Sequence, residues 1–205
     1  MLKIWGRTNS VNVKKALWCA EELGLAYERT DAGMQHGVVN TPEYRKLNPN
    51  GLVPTIEDNG FVLWESHTIV RYLAAKHGAG KLWPLDLRQR ADAERWMDWT
   101  YTFLNAFRPV FWGLVRTLPE KRDMAAIEEG RKKSAELLGI LDAVLAGRNY
   151  VAGSAFTMGD IPIGCHVQLW MRLPIERPKQ PALEAWFARL LERAPYRKVV
   201  DIPLS

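Results

Sequence analysis

The chain has 205 residues, 47% of them hydrophobic and 25% charged. That is room for one large domain or two small ones, and it excludes disorder, a collagen-like repeat and a disulfide scaffold. The formal charge of +5 is spread evenly, with 9 basic and 8 acidic residues in 1–80 and 19 and 15 beyond, so no nucleic-acid-binding patch is expected and acidic small molecules are the better match.

The cluster Arg131-Lys132-Lys133 lies between Glu128-Glu129 and Glu136, which reads as a solvated helix face. Glu65 ends the apolar run Phe61–Trp64, and Pro162, His166 and Gln168 interrupt 161–171, so no membrane span is expected. Met1-Leu2-Lys3-Ile4-Trp5 enters a strand-like pattern without a signal peptide, and two cysteines, Cys19 and Cys165, suit a reducing cytoplasm.

In chain order, Leu2–Trp5 predicts a strand, 13–23 a helix stopped by Gly24, and 27–31 a second strand. A Gly-containing loop and a short helix over Pro42–Leu47 lead to the turn Asn48-Pro49-Asn50-Gly51. Strands at 55–57 and Phe61–Trp64 flank Asp58-Asn59-Gly60, a hairpin signal. Ser66 then opens a helix closing at Gly78. This β-α-β-(α)-β-β-α order predicts an α/β unit over 1–80, a mixed sheet that is parallel across its first crossover.

After a junction at 81–87 the strand signals stop, and 88–205 reads as all-α. Trp96, Trp99, Phe103, Phe107 and Val110 form a core-facing stripe that Pro109 is expected to kink. Further helices are expected at 123–145, 158–171, 182–192 and 196–200. Thr157 and Asp160 predict a capping box, and Phe156 and Ile161 a hydrophobic staple.

Three segments carry chemistry. Gly6-Arg7-Thr8-Asn9-Ser10-Val11-Asn12 crowds polar side chains at a helix N-terminus, where free N–H groups favour an anion; simple capping by Ser10 or Asn12 is the alternative. Glu65-Ser66, also open to plain capping, offers an acceptor for an ammonium and backbone donors for a carboxylate, as an α-amino acid head group needs. Val53-Pro54 begins a strand and, if cis, presents Val53 to an extended peptide; the sequence leaves the isomer open.

These segments, with Asn48-Pro49-Asn50-Gly51-Leu52-Val53-Pro54, Ile69-Val70-Arg71-Tyr72-Leu73 and Phe156-Thr157-Met158-Gly159-Asp160-Ile161, resemble the cytosolic glutathione S-transferases. The resemblance is to the bacterial theta-like branch, including members known for bromoacetate-type substrates. It implies a thioredoxin-like domain with a four-stranded sheet, a helical domain holding the electrophile, and a cytoplasmic homodimer active in detoxification. Glutathione is then a cosubstrate, with no cofactor, metal, nucleic acid or membrane partner.

By the same resemblance Leu52, Val53 and Pro54 hold the cysteinyl part of glutathione, and Glu65 and Ser66 its γ-glutamyl end. Gln35, His36 or Asn40 in loop 33–41 meets the glycine carboxylate. Ser10 stands four residues before Lys14, as the thiol-activating serine of theta-like enzymes precedes an arginine, while Ser10-Val11-Asn12 resembles the Thr-x-Asn of another bacterial class. Ser10 and Asn12 are therefore rivals or partners. A free thiol is only about 3% ionised at pH 7, and lowering its pKa by two units takes about 2.7 kcal/mol, within reach of one or two charge-assisted hydrogen bonds and a helix N-terminus.

Along the long helix, Tyr101, Asn105, Arg108, Trp112 and Arg116 share a flank at helical spacing. This flank either grips a small carboxylate-bearing halide or is simply packed, with its arginines in solvent. Cys19 reads as a packed small hydrophobe. Two other outcomes stand beside transfer to electrophiles: glutathione-dependent dehalogenation, isomerisation or peroxide reduction on the same site, and a glutathione-binding protein without turnover.

Overall fold

The computed structural model describes residues 1–204; Ser205, the last residue of the 88–205 region, lies outside them. The N-terminal part runs β1 (Leu2–Trp5), α1 (Val11–Glu22), β2 (Tyr27–Thr30), α2 (Pro42–Leu47), β3 (Thr55–Asp58), β4 (Phe61–Trp64) and α3 (Ser66–His77). The strands form one mixed sheet in the order β2-β1-β3-β4. β1 and β2 are parallel, with Leu2 opposite Tyr27, as a helical crossover requires. β3 runs antiparallel to both β1 and β4, and the hairpin turns on Asn59 and Gly60, both at positive φ.

The rest is helical: α4 (Leu87–Phe111), α5 (Met124–Leu145), α6 (Asp160–Arg172), α7 (Pro181–Glu192) and α8 (Ala194–Val199). The fold is the one the sequence led us to expect, a thioredoxin-like domain followed by a helical domain. Three helix starts differ by two residues, the first being α1, which opens at Val11 directly after Ser10 in the N-cap position. α6 opens at Asp160, because residues 157–159 form a turn in which the Thr157 hydroxyl accepts from Gly159 N–H. α8 opens two residues early, since Pro195 suits a first helical turn.

One core runs through both parts. Ile4 and Ile56 of the sheet, Leu17 and Trp18 of α1 and Leu73 of α3 are fully buried, as are Phe103, Trp170 and Trp186 of the helical part. Helix α1 is the shared wall. The Trp18 ring lies 4.7 Å from Tyr196 and 5.3 Å from Phe156. A Cβ added at Gly164 of α6 would lie 2.9 Å from the Trp18 ring, so the glycine sets how closely α6 approaches. This seam holds the N-terminus of α1 against the helical part.

Pro109 lies inside α4, which stops two residues later and continues as a π turn over Trp112–Arg116. Proline removes a backbone donor there, and a wider turn absorbs the mismatch. The Arg122 guanidinium donates to the carbonyls of Leu114 and Thr117 and fixes the turn.

Candidate active site

Ser10 occupies the N-cap position of α1 with extended backbone, yet its side chain makes no capping hydrogen bond. Its buried hydroxyl thus has no duty within the helix. Asn12 does not cap either. Its Oδ1 accepts from Lys15 Nζ at 2.9 Å and, more loosely, from Ser66 Oγ at 3.5 Å. An ammonium only donates, so the Asn12 oxygen must face Lys15 and the Nδ2–H group must face away from it.

Lys15 is 1% exposed. Besides Asn12 it meets Nε2 of His67, also at 2.9 Å. Burial pulls its pKa down to about 8, partly countered by Cys165 and Glu65. Burial, and then the charge of Lys15, lowers His67 to about 2, so its imidazole is neutral and Nε2 accepts. Lys14, which the resemblance sets four residues after Ser10, points elsewhere and donates to the Val200 carbonyl.

Two cavities flank this helix start. The narrower, about 120 Å³, lies between Asn12, Leu52, Val53, Pro54, Glu65 and Ser66, with Asn48 and Asn50 completing it. The Val53-Pro54 peptide is cis, which settles the isomer. Asn48 frames this segment: its Nδ2 donates to the Leu52 carbonyl at 3.0 Å and its Oδ1 accepts from Asn50 N–H. Tyr44 Oη adds a bond to the same carbonyl at 2.7 Å. Glu65 sits at φ 72° immediately before α3, a conformation costly for a side-chain-bearing residue and typical of sites where the chain must present a group.

The second cavity, about 240 Å³, is bounded by Ser10, Asn12, Arg108, Trp112 and Arg116, with Arg7, His166 and the apolar faces of Phe107, Phe111 and Leu169. None of the described residues lining it is acidic. Burial, and then the neighbouring Arg116, lowers the Arg7 pKa. The Arg108 and Arg116 guanidiniums lie 5.9 Å from the Trp112 and Phe111 ring centres respectively. His166 Nδ1 meets the Pro162 carbonyl at 2.9 Å, so it carries the proton and leaves Nε2 as a bare acceptor. Burial, and then Lys15, lowers its pKa to about 3.

The structure places the other expected residues outside both cavities. Gln35 and His36 bond each other in an exposed loop. Asn40 Oδ1 accepts from Arg45, whose other arm holds the Pro49 carbonyl. Tyr101 packs against His67 in a tilted pair, ring centres 4.5 Å apart. Asn105 lines a broad groove between α4 and α5 instead. Cys19 is fully buried with its thiol pKa pushed up by burial, an inert packing residue. Sequence reasoning passed over Lys15, Arg7, Asn48 and His166. The three-residue spacing from Asn12 to Lys15 on one helix was the available signal for the first.

An open polar helix start that faces a cis-proline loop on a thioredoxin-like sheet, backed by a helical domain, defines a thiol-handling transferase. The chain matches the glutathione S-transferase N-terminal domain over residues 9–76 and the C-terminal domain over 100–194. It is 44% identical to the glutathione S-transferase GstB of Escherichia coli K12, covering all of both chains. It is 31% identical to glutathione S-transferase 3 of Zea mays, over 99% of this chain and 95% of that one. Its fold superposes with a TM-score of 0.96 on the theta-class glutathione S-transferase of Xanthomonas axonopodis pv. citri solved with glutathione bound; the two are 51% identical, over 100% and 99% of the chains. This chain belongs to the glutathione S-transferase family and is an enzyme of that class.

Proposed function

We propose that this transferase ionises the glutathione thiol at the start of α1, with Asn12 as the principal donor and Ser10 beside it, and passes the sulfur to small carboxylate-bearing halides. The position of Asn12 carries this reading: it is the candidate residue that lines both cavities, and Lys15 leaves only its Nδ2–H group for a ligand. The tripeptide lies in the narrow cavity. Its cysteinyl backbone pairs with Val53 beside Leu52 and Pro54, and its γ-glutamyl head meets Glu65 and the N–H groups of Ser66 and His67. Gln35, His36 and Asn40 stand as the candidates for the glycine carboxylate: Arg45 takes the Asn40 oxygen and leaves its Nδ2–H group to donate.

The electrophile enters the wider cavity. Arg108, Trp112 and Arg116, joined by Arg7, suit a carboxylate in a pocket whose described lining holds no acid to compete for them. The thiolate attacks the carbon that bears the halogen. A C–S bond forms as the carbon–halogen bond breaks, halide leaves, and the thiol proton has already passed to water. Glutathione is the cosubstrate, and the scheme needs no cofactor or metal. A cytoplasmic homodimer working in detoxification, with 1–80 holding the tripeptide and 88–205 the electrophile, accords with the family.

The test is a pH titration of the thiolate absorbance of bound glutathione in wild type, Ser10→Ala and Asn12→Ala. We expect a thiol pKa well below that of free glutathione in wild type and a larger rise in Asn12→Ala than in Ser10→Ala. An unshifted thiol in the wild-type complex would overturn the assignment.

A further inference from the structure

We propose that Lys15 is a positioning residue for thiol activation that works through Asn12, a step that rests on Asn12 being the donor to the glutathione sulfur. A terminal amide flipped by half a turn would present its oxygen to the sulfur, and an oxygen repels a thiolate. Lys15 decides between the two orientations, since its ammonium, 2.9 Å from Oδ1, has nothing to accept with. It is itself fixed by Nε2 of His67 at 2.9 Å. The His67 ring in turn packs against Tyr101 of the long helix, ring centres 4.5 Å apart and planes inclined by 34°. Tyr101, His67, Lys15 and Asn12 thus link α4, α3 and α1 in a chain that ends at the cavity junction.

The groups facing Lys15 from each side suit this role. They are Asn12 on its own helix, His67 on α3, Glu65 ahead of α3, and Cys165 and His166 on α6. Both imidazoles are held neutral by burial and by the lysine. The Cys165 thiol is pushed up to about 12 by burial and is likewise uncharged. Glu65 is the one carboxylate among these groups, and the ammonium's charge also favours a thiolate near Asn12. Lys15 itself titrates at about 8, so at neutral pH it is cationic and the amide is fixed.

The experiment uses the full chain, glutathione and a neutral aryl halide. Calorimetry gives tripeptide affinity, and thiolate absorbance against pH gives the bound thiol pKa. In Lys15→Met we expect that pKa to rise by about one unit or more and kcat below neutral pH to fall by about tenfold or more, with affinity within about threefold of wild type. A well-folded Lys15→Met with an unshifted thiol overturns the proposal, because a role in folding alone would not separate thiol pKa from affinity.

If Lys15→Met does not fold, His67→Phe and His67→Gln decide. The glutamine oxygen still accepts from the ammonium, so His67→Gln should keep the low thiol pKa that His67→Phe loses; equal behaviour of the two overturns the proposal. Wild type that binds no glutathione, or binds it with an unshifted thiol, would instead sink the underlying assignment.

Discussion

Arg193, immediately ahead of α8, grips Glu22 at the end of α1 with two hydrogen bonds of 2.7 and 2.6 Å, and its guanidinium lies 3.9 Å from the Phe156 ring centre. The two partners are unequally buried: 7% of the Glu22 side chain is exposed against 27% of Arg193. Removing the arginine strands a buried carboxylate that keeps, among the described residues, the Trp18 Nε1–H bond, whereas removing the glutamate lets the arginine reach water. Arg193→Ala should therefore cost about 2 kcal/mol or more in urea unfolding, and Glu22→Ala distinctly less. Equal losses would show that the pair is not felt through burial. Both lie at the far end of α1 from Ser10, so the thiol pKa should not move.

Asp160 anchors the start of α6 and is fully buried. Its carboxylate accepts from Thr157 N–H, which is one half of the expected capping box. The other half is lost because Gly159 takes the N-cap position and the Thr157 hydroxyl turns to Gly159 N–H. The carboxylate also accepts from Val151 N–H and Trp186 Nε1, all three bonds at 3.0 Å. Asp160→Asn puts an NH₂ group against one of these donors and should cost about 3 kcal/mol, leaving the chemistry unchanged in the folded variant.

A pH dependence follows from the same carboxyl. Burial outweighs the three donors and raises its pKa to about 6. The unfolded chain then loses this proton near pH 4, before the folded chain does, so the contribution is complete below about pH 4 and lost as pH rises through about 6, by about 3 kcal/mol. Paired carboxylates such as Asp58 and Asp201, lowered by Lys76 and Arg172, act in the opposite sense. The difference in stability between wild type and Asp160→Asn isolates the term: it should shrink as pH rises from 4 to 6, and a constant difference would refute it.

What the sequence disclosed follows physical range. The hairpin was legible because Asn59-Gly60 between alternating runs has few other uses, and the core stripe of α4 because burial imposes a helical period. Arg108 and Trp112 were found by that same period. Arg116 reaches the cavity for another reason. Four residues on a regular helix overshoot a full turn by roughly 40°, and the π turn after Pro109 brings the residue back.

Lys15 was half hidden. In Val13-Lys14-Lys15-Ala16 both lysines are buried; the reach from Lys15 back to Asn12 is local, but its burial against His67, like the reach of Lys14 to Val200, is set by tertiary structure. Loop 33–41 carries no period, and its path depends on positive φ at Gly33, Met34, Gly37 and Val38, so the neighbours of Gln35, His36 and Asn40 could not be read. Asn48 was quoted as a turn residue, but that its side chain would hold the Leu52 carbonyl is not a local property.

Gly164 tests the seam between the two parts. An alanine there gains helix propensity, about 0.5–1 kcal/mol. Its methyl, however, would lie 2.9 Å from Trp18 and 3.0 Å from Leu190, two atoms belonging to large, fully packed side chains. Overpacking of this kind costs about 1–3 kcal/mol, so Gly164→Ala should be net destabilising. A thermal melt no lower than wild type would mean that α6 retreats from α1 freely.

The arginine-lined cavity gives the sharpest test of substrate class. Arg108 lies over the Trp112 ring and forms no ion pair among the described residues, so its charge is available to a ligand. If it grips a carboxylate, Arg108→Ala should lower kcat/KM for a haloacetate by about tenfold to a hundredfold, the value of one charge-assisted contact, and leave an uncharged halide within about threefold. Loss of packing would instead reduce both substrates alike. Arg116→Ala should behave in the same way, because both guanidiniums face the same acid-free space. Restoring a positive charge with Arg108→Lys should recover part of the haloacetate rate but not all of it, since an ammonium cannot form the two-pronged contact. Haloacetate and uncharged halide falling equally in Arg108→Ala would remove the carboxylate from the proposed substrate.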